Sequence, residues 1–142
     1  MQNICAVISG SYRKHLKELY NVKCFLQNCG INVLSPVGNR AINGEEEFVL
    51  LDADRITDHK TLQDSIFAKL RISTFQVVVN QDGYLGPTTI LEMGYSISLG
   101  IQILTLEPVM DPNINPYCRS FFSIFPQYQE HQKMWLSRRI NA

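Results

Sequence analysis

Short apolar runs alternate with longer amphipathic stretches through most of this chain. Ile4-Cys5-Ala6-Val7-Ile8 is continuously apolar, as a strand covered on both faces of a sheet requires. It breaks at Ser9-Gly10-Ser11, and a helix follows over residues 14–29. Leu19, Val22, Leu26 and Cys29 recur there at helical spacing, and Gly30 is the expected stop. Residues 31–34 form the second predicted strand, closed by Ser35-Pro36. Residues 37–47, with Gly38, Asn39, Asn43, Gly44 and a run of glutamates, read as an exposed loop. Phe48-Val49-Leu50-Leu51 is a third strand candidate, followed by Asp52 and Asp54. A helix over 60–72 has Thr61 as its expected cap. A fourth strand spans 75–80. The helix over 87–99 is opened by Pro87 and closed by Gly100, and a fifth strand spans 101–106.

Strands alternating with helices imply parallel βαβ units with right-handed crossovers. The expected fold is α/β, a flavodoxin-like or Rossmann-like doubly wound, five-stranded, mostly parallel sheet with helices on both faces. Beyond residue 106 the texture changes: Pro112, Pro116 and Pro126 punctuate the chain, and a last helix is expected over 127–139. Phe121, Phe122, Phe125, Tyr128 and Trp135 either pack on the domain or cover an interface, and packing is the simpler reading. The expectation is one domain over 1–142, with its core in 4–106 and an extension in 107–142.

Composition narrows the partners. At 142 residues with 45% hydrophobic and 18% charged positions, the chain can bury a core without disulfides or metal. Its formal net charge is zero, which argues against a nucleic-acid polymer as ligand. No run approaches the length of a membrane span, and no leader pattern opens the chain, so a cytoplasmic protein is expected. Cys5, Cys24, Cys29 and Cys118 lack zinc-site spacing, and neither a GxGxxG fingerprint nor a Walker motif is present. No metal and no cofactor are expected.

Candidate chemistry concentrates beyond the ends of two strands. In the loop 80–86, Gly83 and Gly86 permit close approaches, Tyr84 offers a face for a base, and Asn80 and Asp82 can bond sugar hydroxyls. A plain Asp-Gly turn is the competing reading. Glu92 falls one turn into the following helix, aligned with Thr88 and Ser96, while Ile90, Met93 and Ile97 are expected to pack on the sheet. It reads either as a partly buried, reactive carboxylate or as a solvated one favoured by the helix dipole. Gly10, Ser11, Tyr12 and Arg13 form a small-residue turn into a helix N-terminus, suited to an anion or simply structural. His15, His59 and His131 follow no nucleophile pattern and read as surface residues.

Three motifs in order, Ile8-Ser9-Gly10-Ser11-Tyr12-Arg13, Asn32-Val33-Leu34-Ser35-Pro36, and Asn80-Gln81-Asp82-Gly83-Tyr84-Leu85-Gly86 with Glu92-Met93-Gly94-Tyr95, resemble the nucleoside 2-deoxyribosyltransferase-like family. The resemblance covers residues 4–106. It implies a flavodoxin-like fold, cleavage of N-glycosidic bonds in nucleosides or nucleoside 5′-monophosphates, and a homodimer or higher homo-oligomer whose neighbouring subunit completes the pocket. It further implies that Glu92 is the nucleophile, that Ser11 and Arg13 hold a 5′-phosphate, and that Tyr12 or Tyr84 orients the sugar or stacks on the base. The chain departs from the family at one point. The aspartate that assists base protonation falls near Ala68, leaving Asp64, on the same helical face, or Asp82 to take its place. A non-catalytic nucleotide-binding or sensing module of the same fold is the alternative.

Overall fold

The apolar runs become strands where they can pair. A computed structural model describes residues 3–38 and 58–140, and the side chains of its last helix up to Met134. In chain order the elements are β1 (Cys5–Gly10), α1 (Tyr12–Asn28), β2 (Asn32–Ser35), α2 (His59–Arg71), β3 (Phe75–Val79), α3 (Pro87–Leu99), β4 (Gln102–Thr105), β5 (Cys118–Ser120), α4 (Phe121–Ile124) and α5 (Tyr128–Ile140). The strands form one five-stranded sheet in the order β2-β1-β3-β4-β5, and every pairing is parallel. This is the flavodoxin-like order, in which the chain reverses its winding direction between β1 and β3. A crevice therefore opens beyond the carboxyl ends of those two strands. No helix of the described residues is long and apolar enough to cross a membrane.

Strand alternation divides the core between the two faces of the sheet. Ala6 and Ile8 of β1, Val77 and Val79 of β3 and Leu104 of β4 meet Leu19, Val22 and Leu26 of α1, together with Phe121 and Tyr128. Val78 and Ile103 point the other way, against Met93 of α3. Ser9 pairs with Val78, and Val7 with Gln76. Ser9 and Gln76 thus lie on the α3 side of the sheet. Ring stacking of Phe67 on Tyr95, with centroids 4.5 Å apart, joins α2 to α3 on that side.

Several boundaries differ from the sequence reading, each for a local reason. Helix α1 begins at Tyr12 because the Ser11 side chain caps it, accepting from Lys14 N at 3.1 Å. The cap of α2 is Asp58 rather than Thr61. Asp58 is extended, and its carboxylate accepts from both Thr61 N, at 2.9 Å, and Thr61 Oγ1. Ile90 is exposed rather than packed on the sheet. The strand expected at 48–51, the loop before it and Asp52 and Asp54 lie outside the described residues. Edge strand β5 has only three residues, too few to show a period, and it arises from the proline-punctuated stretch. Phe121 and Tyr128 from that stretch are fully buried, and Phe122 and Phe125 pack against them.

Candidate active site

Three helices begin around one cavity. It measures about 730 Å³ and is lined by Gly10 to Arg13 at the start of α1, His59, Gln63 and Ile66 of α2, Tyr84, and Gly86 to Thr89 with Glu92 at the start of α3. Helix N-termini carry partial positive charge and unpaired N–H groups. Gly86 supplies no side-chain cap to α3, so that end remains available to an acceptor. Arg13 adds a guanidinium at the same rim. Side-chain caps already occupy the other two ends, Ser11 on α1 and Asp58 on α2.

Gly10 leaves the end of β1 bare. A Cβ there would stand 3.0 Å from Val79 O and 3.2 Å from Leu19 Cδ2, so a larger residue would have to push β3 or α1 back by a few tenths of an ångström. Tyr84 is held from outside the cavity: Lys14 Nζ lies 3.9 Å from its ring centroid, and the His15 ring meets it edge-on at 6.1 Å.

Glu92 is the buried charge of the site, with only 4% of its surface exposed. Its Oε1 accepts from Ser9 Oγ at 2.7 Å and its Oε2 from Gln63 Nε2 at 2.9 Å. Behind Ser9, Gln76 Nε2 donates to Ser9 Oγ at 2.8 Å. Ser9 has one hydroxyl proton, and with Gln76 donating to its oxygen that proton is directed to Glu92. The donors are all neutral. Burial therefore pushes the Glu92 carboxyl above the ordinary carboxylate range, and the Ser9 and Gln63 hydrogen bonds pull it only partly back. A carboxyl raised in this way and lining a cavity is a candidate functional group.

Of the residues marked in the sequence, Gly10, Ser11, Tyr12, Arg13, Tyr84, Gly86 and Glu92 line the cavity together. Four others stand apart from it. Asn80 is fully buried, and its side chain spends both ends on the Glu107 backbone, donating to the carbonyl at 2.8 Å and accepting from the N–H at 2.9 Å. Asp82 and Gly83 are exposed in the turn Gln81–Gly83. Asp64 is exposed and pairs with Lys60 at 2.6 Å. Gln63 and Gln76 carry no role in the sequence reading, Ser9 enters it only as part of the small-residue turn, and His59, read there as a surface residue, is exposed but also lines the cavity. A glutamine inside the apolar run of β3 was the available signal, since a buried amide must be bonded to something. No protein-family model matches this chain, and no curated protein matches it.

Proposed function

We propose that this protein cleaves the N-glycosidic bond of a nucleoside or nucleoside 5′-monophosphate, with Glu92 as nucleophile. The carrying observation is the Glu92 carboxylate: buried at one wall of a cavity of about 730 Å³, aimed by two neutral donors, and sharing that cavity with residues from the starts of three helices. Ionised, it is poorly solvated and reactive. Its two oxygens keep further lone pairs for attack on an anomeric carbon. Attack forms a glycosyl ester as the base departs, and water or a second base resolves it, giving hydrolysis or (deoxy)ribosyl transfer. The Ser9 and Gln63 donors favour the second step, because they stabilise the carboxylate that leaves. Arg13 and the start of α1 suit a 5′-phosphate, and Tyr84 a base or sugar face. The resemblance noted in the sequence supports the same assignment.

Incubation with a panel of nucleosides and their 5′-monophosphates, followed by chromatography of the free bases, tests it. Base release by the wild type and its loss in Glu92→Ala are expected. Ligand binding without release, unchanged in Glu92→Ala, favours a nucleotide-sensing module instead.

A homo-oligomer is part of the proposal. Pro87, Ile90, Leu91, Gly94 and Ser98 form an exposed, uncharged stripe along α3, on the helix that carries Glu92. Light scattering coupled to size exclusion should report more than one chain per particle.

A further inference from the structure

His59 opens α2 and lines the same cavity as Glu92. It stands one helical turn before Gln63, whose amide donates to Glu92 Oε2 at 2.9 Å, and Ile66 of the next turn lines the cavity too. Residues 59, 63 and 66 share one face of the helix. Four residues of rise amount to about 6 Å. The backbone of His59 is thus offset by that rise from the backbone of Gln63, and both residues line the cavity. Glycosidases that form an ester intermediate separate nucleophile and acid by about 5–5.5 Å. A nucleobase accepts its proton on a ring nitrogen beyond the bond that breaks, which calls for slightly more reach.

We propose that His59 is the general acid that protonates the departing base, a role that rests on the N-glycosidase reading above. As a Glu92 oxygen bonds to the anomeric carbon, the C–N bond breaks and its electron pair goes to the base. The imidazolium proton passes to a ring nitrogen of that base. In the second step neutral His59 takes a proton from water as the water oxygen attacks the anomeric carbon, and the ester's electron pair returns to Glu92. The other titratable side chains on the cavity are Tyr12, Arg13 and Tyr84, while Asp58 and Lys60 flank His59 on its own helix. Asp64 is directed to Lys60. The substrate class follows from the acid. It comprises nucleosides or nucleotides with a neutral base, whose departure needs a proton.

The test compares wild type and His59→Gln on a purine nucleoside 5′-monophosphate and on its N7-methyl counterpart, whose base is already cationic and leaves without protonation. His59 is exposed at the first turn of α2, so an unchanged melting temperature is expected for the variant. It should cleave the neutral-base substrate about 10²–10⁴-fold more slowly. The N7-methyl substrate should be cleaved within a few-fold of the wild-type rate. Equal slowing on both substrates, or none on either, overturns the role of His59 and leaves the glycosidase reading standing. Wild type inactive on both overturns that reading, and the role of His59 with it.

Discussion

Ser9 and Gln76 show how much of the Glu92 chemistry is supplied by side chains that never reach the cavity. Neither lines it, yet the Gln76–Ser9–Glu92 chain, at 2.8 and 2.7 Å, governs one carboxylate oxygen. Hydrogen bonds to charged groups contribute about 1.5–3 kcal/mol. Ser9→Ala removes a bond that lowers the Glu92 pKa, so the group should titrate still higher. The acid limb of the pH–rate profile should move to higher pH, and activity near neutrality should fall about 10- to 100-fold. An unmoved limb would count against the chain. Glu92 also makes a stability prediction. Its folded pKa is raised above the ordinary value of 4.5, so between those two values the unfolded chain has released a proton that the folded one keeps. Stability then falls as pH rises through that window and stays lower above it. Glu92→Gln, which removes the charge, should raise Tm by a few degrees at pH 8, since about 1 kcal/mol moves a chain of this size by roughly 2–4 °C. The gain should vanish below pH 4.5, the ordinary carboxyl value, and calorimetry at both pH values checks it. Glu92 stood out in the sequence as a lone carboxylate in an uncharged helix. Gln63 did not, because nothing in a solvated-looking helix face says which polar residue will turn toward a neighbour.

At the scale of elements, stop signals were the most legible features. Helix α3 runs Pro87–Leu99, as proline at its first turn and glycine after its last residue dictate. Gly100 takes φ of +72°, a left-handed cap that side chains resist. Gly100→Ala should cost about 1 kcal/mol, visible as a lower urea midpoint at unchanged slope. Gly10→Ala is expected to be worse, about 1–3 kcal/mol, because its contacts are the Val79 backbone and a buried Leu19 rather than open space. The start of α2 was misread because Asp58 and Thr61 are both good capping residues, and only the backbone angles distinguish the cap from the residue it bonds. Strand β5 was invisible for a different reason: Cys118-Arg119-Ser120 has neither length nor apolar character, and it is a strand only because β4 offers it an edge.

Across the whole molecule, the C-terminal segment is tied to α1 by a polar cluster whose partners lie 107 to 114 positions apart in the chain. Tyr128 Oη donates to the buried Glu18 Oε1 at 3.0 Å and accepts from Asn21 Nδ2 at 3.2 Å, and Gln132 Nε2 adds a second donor to Glu18, also at 3.0 Å. Burial and the Glu18 charge both hold the Tyr128 phenol well above its ordinary pKa, so it remains a donor at any working pH. Tyr128→Phe strands a buried carboxylate with one donor fewer. It should lower stability by about 1–3 kcal/mol, with Tm as the readout. The sequence by itself determined the alternation of strands and helices, the parallel α/β class, and the placing of a small-residue turn and a lone carboxylate just beyond two strands. Those follow from local periods and from the angles that glycine and proline enforce. The strand order, the fifth strand, the burial of Glu92 and its union with Ser9, Gln63 and Gln76 were decided by tertiary structure alone. Those residues are separated by up to 83 positions in the chain, and only the pairing of β1 with β3 under α3 puts their polar atoms within hydrogen-bond reach.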